Sequence, residues 1–308
     1  MTTTDDMLAS HRACHRLTRQ AGSNFPAAFC LLPPAKRQAM HALYAFMRHS
    51  DDLADDPADD RQPGRSPCEM LRQWRGAVEK ALSAEGVSGN RTFGEVDPQG
   101  CAILPAVAET VREFQIPPES LLAVLDGVEM DLEPRVYATF DELAVYCERV
   151  ASAVGLACIH VWGFLGGDVL GPSRSAGLAL QLTNILRDLG EDARRGRVYV
   201  PLEDINACGY SVEELQNGVV NQPFLRLMEM EIDRTEQFYR EAAELPRWLH
   251  EDGHRIFGLM METYHALLLA VRRHPADVFL RRIRVSRWKK LWLAARWTMG
   301  PVPKSMRK

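Results

Sequence analysis

The sequence predicts an all-α protein. From Ala102 almost to the C-terminus, apolar residues recur at helical spacing. No alternating run reaches useful strand length, since Val198-Tyr199-Val200 is too short to count. No strand leads into a GxGxxG turn, and glycine-rich Gly163 to Gly171 lacks that spacing, which argues against a dinucleotide fold. No fixed-period repeat of the solenoid kind occurs.

The elements follow in order. The start, Met1 to Ser10, is polar and acidic without a signal-peptide pattern. A short apolar segment closes at Pro33-Pro34. Ala35 to Asp56 reads as a helix through Met40, Leu43, Tyr44 and Met47. Pro57 to Pro67 is rich in Asp, Pro and Gly and reads as a loop. Cys68 to Ala84 is helical, and Glu85 to Gly100, with four glycines, reads as a second loop. Pro117-Pro118-Glu119 opens a helix that runs to Asp131, with proline where a first turn tolerates it. Further helices are expected from Phe140 towards Trp162, at Ser173–Asp192, Phe224–Glu244, His250–Arg273 and Arg281–Met299.

Bulk composition excludes several functions. The 308 residues are long enough to bury roughly 75% of the unfolded surface. Hydrophobic residues make up 46% and charged residues 25%, with a net charge of −4, which argues against a nucleic-acid binder held by bulk charge. Seven scattered cysteines without a CxxC suggest neither a disulfide framework nor a zinc site. No apolar run approaches the roughly 18–20 residues that span a bilayer. The expected location is cytoplasmic.

Two acidic stretches carry the chemistry. In Tyr44 to Asp56, the residues Tyr44, Arg48, Asp51 and Asp55 share one helical stripe. Asp51 and Asp55 repel each other by roughly 0.2–0.5 kcal/mol. They also sit at a helix C-terminus, where the macrodipole disfavours anions. Local stability does not explain them, and a bound cation would. In Gln181 to Asp192, the residues Gln181, Asn184, Asp188 and Asp192 fall within an arc of roughly 80°. Taken alone, this is an ordinary solvated amphipathic helix. Repetition argues for more, because each helix carries Asp-x-x-x-Asp near its C-terminal end, with Arg48 or Arg187 close by. Hard oxygen donors at this spacing suit Mg²⁺, which keeps several waters and bridges to substrate phosphates. Arginines beside them suit the remaining phosphate oxygens.

With these motifs in place, the sequence resembles the squalene/phytoene synthase family. Tyr44 to Asp55 is similar to that family's first aspartate-rich motif. Gln181 to Asp192, continuing through Gly196 to Pro201, is similar to its second, and Tyr146 to Gly155 to its Tyr-x-x-x-Val-Ala-x-x-Val-Gly stretch. The resemblance spans roughly residues 12 to 275. It implies a single-domain isoprenoid-synthase helical fold over residues 1–280 with a central active-site cavity. It also implies Mg²⁺-assisted head-to-head condensation of two prenyl diphosphates. It places Asp51, Asp52, Asp55, Asp188 and Asp192 on metal, with Gln181 and Asn184 beside them. Arg48, Arg187, Arg197 and Tyr199 match diphosphate contacts, and Tyr146 matches a tyrosine of proton handling or cation stabilisation. Apolar candidates for the prenyl tunnel are Phe25, Phe29, Leu143, Val150, Val154 and Leu182, for which plain core packing is the competing reading.

Within the family, Ser23 to Phe25, Ala39 to Asp55 and Gly127 to Leu132 resemble bacterial hopanoid-pathway presqualene diphosphate synthases. Ala21 to Phe25 departs from the family's His-Ser-x-Ser-Phe. The resemblance in those three stretches, not the departure at Ala21 to Phe25, implies farnesyl diphosphate as the expected substrate. A phytoene-type reaction on geranylgeranyl diphosphate is the alternative, and no nicotinamide motif decides for or against an NADPH-dependent step to squalene. A non-catalytic lipid-binding or assembly-factor relative would be expected to lose aspartates from one motif, and both sets are intact. Oligomeric state is not legible.

Among lesser candidates, His49 reads as a partly exposed histidine rather than a partner of the neighbouring acids, and for Glu129 and Asp131 a cavity-facing role and a surface or capping role stand side by side. Residues 281–308 hold ten Lys or Arg, no Asp or Glu, and Trp288, Trp292 and Trp297. Val285, Trp288, Trp292, Ala295 and Met299 share a helical face. Two readings stand: a helix on the anionic inner face of the membrane, or a terminal helix packed on the protein with a solvated basic face.

Overall fold

The structure, a computed structural model, describes residues 4–20, 25–55, 66–83, 97–133 and 135–300. Most of the two loops expected at Pro57–Pro67 and Glu85–Gly100 falls outside these residues, as do Ser23 and Asn24. The described residues are helical with no strand, as the apolar periodicity predicts. The main helices are α1 (Thr4–Gln20), α2 (Pro34–Asp55), α3 (Pro67–Leu82), α4 (Pro98–Glu113) and α5 (Pro118–Met130). They are followed by α6 (Phe140–Trp162), α7 (Leu170–Arg194), α8 (Gln222–Ala242), α9 (Glu251–Arg273) and α10 (Arg287–Met299).

The chain forms two compact units. The first is residues 1–132 with 156–163, and the second is residues 133–155 with 164–308. In the first, Leu43 and Phe46 of α2 are buried, as are Trp74 of α3, Ile103 and Val107 of α4, and Leu121 and Leu125 of α5. In the second, α7 and α8 form the most extensive helix pair. They enclose Leu186, Leu189, Phe224, Leu227, Met228 and Ile232, with Leu268 and Val271 from α9.

The structure adds to some of these expectations, corrects others and bears out the short Val198–Val200 reading. The polar N-terminus is a helix, α1, because Ala13, Cys14 and Leu17 form a buried stripe and Ser10 Oγ accepts from the Ala106 amide at 3.0 Å. Pro98 to Gly100 is not loop but the first turn of α4, whose N-terminal amides of Gln99 and Gly100 are capped by Asp97. The 23 residues of α6 are long and apolar enough, by length and composition alone, to cross a bilayer. Its Leu143, Tyr146, Cys147, Ile159 and Trp162 are buried in protein instead. A π-helical turn at Glu148–Ser152, beginning two residues after Tyr146, interrupts α6, and periodicity gives no sign of it. The valine pair around Tyr199 makes no strand; Val198 pairs with Val136 in an isolated parallel bridge.

Candidate active site

The first acidic set lies on the last turns of α2. Arg48 reaches one turn on to Asp52 at 2.6 Å, and Asp51 is exposed. Asp55 ends the helix, and its side chain lies outside the described residues. The opposite face is locked into the first unit. Trp74 Nε1 donates to Ser50 Oγ at 2.9 Å, and Ser50 Oγ donates to the Phe46 carbonyl at 2.8 Å. His49, expected to be partly exposed, is only 1% exposed. It packs edge-on against Trp74 and places Nε2 3.1 Å from Asp97 Oδ2. Burial works to raise the Asp97 carboxyl, but His49 and the Gly100 and Gln99 amides outweigh it and hold Asp97 below the usual range. His49 and Ser50 thus fix the rotation of the turn that turns Asp51 outward. Glu129 is on the surface, 3.3 Å from Arg75.

The second set lies on α7 in the second unit. Arg187 donates through Nε to Asp188 Oδ1 at 2.8 Å and through Nη2 to Oδ2. Arg282, ninety-four residues away, grips the same carboxylate, with Nε to Oδ1 at 3.0 Å and Nη2 to Oδ2 at 3.2 Å. Asn184 Nδ2 donates to Gln181 Oε1 at 3.4 Å, which joins the first two residues of the polar stripe. Burial pushes the Asp192 carboxyl up to about 7; Asp188 and Glu191 add to the rise, against Arg197 and Arg195. After α7, Gly196 at φ 75° turns the chain, and the Arg197 amide donates back to the Asp192 carbonyl at 2.9 Å.

Beside this turn, Tyr146 of α6 stacks on Tyr199 with centroids 5.3 Å apart. Tyr137 completes the cluster, 5.8 Å from Tyr146 and 6.2 Å from Tyr199. The bridge between Val136 and Val198 sets these neighbours side by side. Sequence reasoning placed Tyr146 and Tyr199 in the site but missed Tyr137, Arg282 and Asp97. Each acts through a contact distant in sequence, and none lies on a patterned stripe. Of the apolar candidates, Phe29, Leu143 and Leu182 are buried, Val150 and Val154 are half-buried, and the Phe25 side chain is outside the described residues.

The donor chemistry fits a hard divalent cation. Asp188 and Asp192, with the amide oxygens of Gln181 and Asn184, present only oxygen donors, and burial together with Asp188 raises the Asp192 carboxyl, so a nearby positive charge would favour its ionised form. Among the described residues, no three His, Cys, Asp or Glu side chains converge.

The Squalene/phytoene synthase family description matches residues 18–289. The chain belongs to the squalene/phytoene synthase family. Members are prenyltransferases that join prenyl diphosphates head to head, and this protein has the family's helical isoprenoid-synthase fold. It is 33% identical to a phytoene synthase of Arthrospira platensis, over 92% of this chain and 90% of that one. A phytoene synthase of Mycobacterium tuberculosis is 30% identical over 93% and 89%. Among solved structures, a dehydrosqualene synthase in complex with ligand superposes with a TM-score of 0.80 at 27% identity, covering 95% of this chain and 96% of that one. Squalene synthase HpnC from Alicyclobacillus acidocaldarius shares the fold, with a TM-score of 0.76 at 24% identity over 88% and 96%.

Proposed function

We propose that this protein condenses two farnesyl diphosphates head to head to presqualene diphosphate. The observation that carries the diphosphate chemistry is the repeated set of oxygen ligands and arginines on α2 and α7. The farnesyl chain length rests on the stretches at Ser23 to Phe25, Ala39 to Asp55 and Gly127 to Leu132. The 33% identity to a phytoene synthase favours a second reading, condensation of geranylgeranyl diphosphate to phytoene.

Asp51, Asp52 and Asp55 on one helix and Asp188 and Asp192 on the other would hold Mg²⁺. When bound, the ion supplies Lewis-acid neutralisation of the leaving diphosphate. The chain's own residues do the rest. Arg48, Arg187 and Arg197 take up charge that grows on the departing oxygens, and Gln181, Asn184 and Tyr199 orient the group. Water would quench an allylic cation, so the reaction requires the prenyl chains to be shielded from it. The second chain's double bond then attacks, and loss of a proton, to the released diphosphate or to Tyr146, closes the cyclopropane. Tyr146, held by Tyr137 and Tyr199, is placed in this scheme for cation stabilisation or proton handling.

The basic C-terminal segment contributes membrane contact in this reading. Trp288, Leu291, Trp292 and Met299 of α10 are exposed among Arg287, Lys289 and Lys290, while Leu293 and Trp297 are buried. Such a face suits an anionic leaflet. Co-sedimentation of the full chain with phosphatidylglycerol vesicles, compared with the Trp288→Ser/Trp292→Ser double variant, tests it. Equal binding by both sinks the contact.

Incubation of the purified protein with Mg²⁺ and either farnesyl or geranylgeranyl diphosphate, with the product read by mass, tests the reaction. Turnover of farnesyl diphosphate alone supports the first reading and of geranylgeranyl diphosphate alone the second; no turnover of either defeats both. Adding NADPH to the same assay reports whether the reaction goes on to squalene.

A further inference from the structure

Asp188 of the proposed metal set is held at both carboxylate oxygens. Each of its oxygens receives an N–H from Arg187 and another from Arg282. The two arginines are not equivalent. Arg187 is the next residue on the same helix, with its side chain 16% exposed, and has little room to withdraw. Arg282 is 50% exposed and lies in the irregular stretch between the short helix Asp277–Leu280 and α10.

Backbone packing delivers Arg282 to this place. A Cβ at Gly190, two residues beyond Asp188, would lie 2.4 Å from the Val278 carbonyl oxygen, so only glycine lets the 277–282 segment come so close to α7. Arg194 Nη1 donates to the Phe279 carbonyl at 3.2 Å, and Ile283 is buried. The segment's backbone is thus held against the helix, while the half-exposed Arg282 side chain has solvent beside it.

We propose that Arg282 is a competing counter-cation for the metal site: its two-pronged hold on Asp188 must be released before Asp188 can ligate a divalent ion. This rests on the reading of Asp188 as a metal ligand. A hard cation needs a free lone pair on the carboxylate and is repelled by a guanidinium in contact with the same oxygens. Withdrawing Arg282 removes one of the two positive charges there and frees one acceptor site on each oxygen. The competition weakens metal binding to the empty protein. It thereby favours entry of the ion together with the diphosphate, whose own negative charge offsets the repulsion.

The test is binding of Mn²⁺ to the substrate-free full chain, followed by electron paramagnetic resonance of the free ion. Arg282→Gln is expected to tighten binding by about fivefold or more, and Arg282→Lys, which keeps the charge but loses the fork, by less. Arg284→Gln removes the same charge from an exposed neighbour and is expected to change affinity less than about twofold. Asp188→Asn should weaken binding and cancel the effect of Arg282→Gln when the two are combined. If Asp188→Asn weakens binding but Arg282→Gln leaves it unchanged or weaker, the competition is refuted while the ligand assignment stands. An effect of Arg284→Gln as large as that of Arg282→Gln also refutes it. If Asp188→Asn leaves Mn²⁺ affinity unchanged, the ligand assignment fails and the proposal fails with it.

Discussion

Replacing Arg234 by methionine should damage the second unit in a pH-dependent way. Arg234 Nη1 reaches Asp204 Oδ2 at 2.7 Å and both Glu231 oxygens at 2.9 Å, and Nη2 reaches Asp204 Oδ1 at 3.0 Å. Its guanidinium also lies 4.3 Å over the Phe140 ring, at the start of the helix that carries Tyr146. The carboxylates are almost fully covered, at 9% and 3% side-chain exposure, so water cannot replace the cation. Removing one partner of such a cluster costs about 3–5 kcal/mol. Burial lifts the Glu231 carboxyl, Arg234 pulls it back and Asp204 raises it again, leaving it at about 8 against an ordinary 4.5. A carboxyl with a raised folded-state value binds its proton more tightly folded than unfolded. Its stabilisation is therefore complete below pH 4.5 and lost as the pH rises through about 8. Loss of Arg234 pushes the carboxyl further up, so the variant's deficit is larger near pH 8 than near pH 5. Urea unfolding of both proteins at these two pH values measures it. A deficit below about 1 kcal/mol, or an equal one at both pH values, would refute the reasoning.

Three further outcomes are expected. Asp51→Asn and Asp188→Asn each abolish turnover while circular dichroism stays native, and near-normal rates in both would show the metal assignment to be wrong. Tyr137→Leu lowers kcat by about tenfold through the loss of support for Tyr146 and Tyr199, whereas Tyr137→Phe keeps the stack and stays close to wild type; steady-state kinetics in which Phe is as poor as Leu would contradict this. Trp297→Ala costs about 3–5 kcal/mol in chemical denaturation, because the indole fills the space above Gly258, where a Cβ would lie 2.0 Å from the ring, and donates to Glu262 at 3.1 Å.

The helix α10 illustrates how sequence and structure divide the information. Its composition raised two readings, and the structure supplies a basis for each. Trp297 and Leu293 dock on the protein while Trp288 and Trp292 remain outside. Helical spacing could group residues by face but not say which face finds a partner. His49 shows the same limit. Beside four carboxylates it reads as polar surface, yet Asp97 and Trp74 lie across the unit and bury it.

The sequence by itself determined the all-helical class, the two Asp-x-x-x-Asp stripes with their arginines, and through three motifs the family. These are properties of residues within a few turns of one another, which the 3.6-residue period reports directly. The tertiary structure alone decided what meets those stripes: the buried His49 behind Asp51, the tyrosine stack beside Arg197, and Arg282 on Asp188. Such contacts join residues tens of positions apart, and they depend on side-chain packing and close backbone approaches such as that at Gly190. A local pattern carries no record of them.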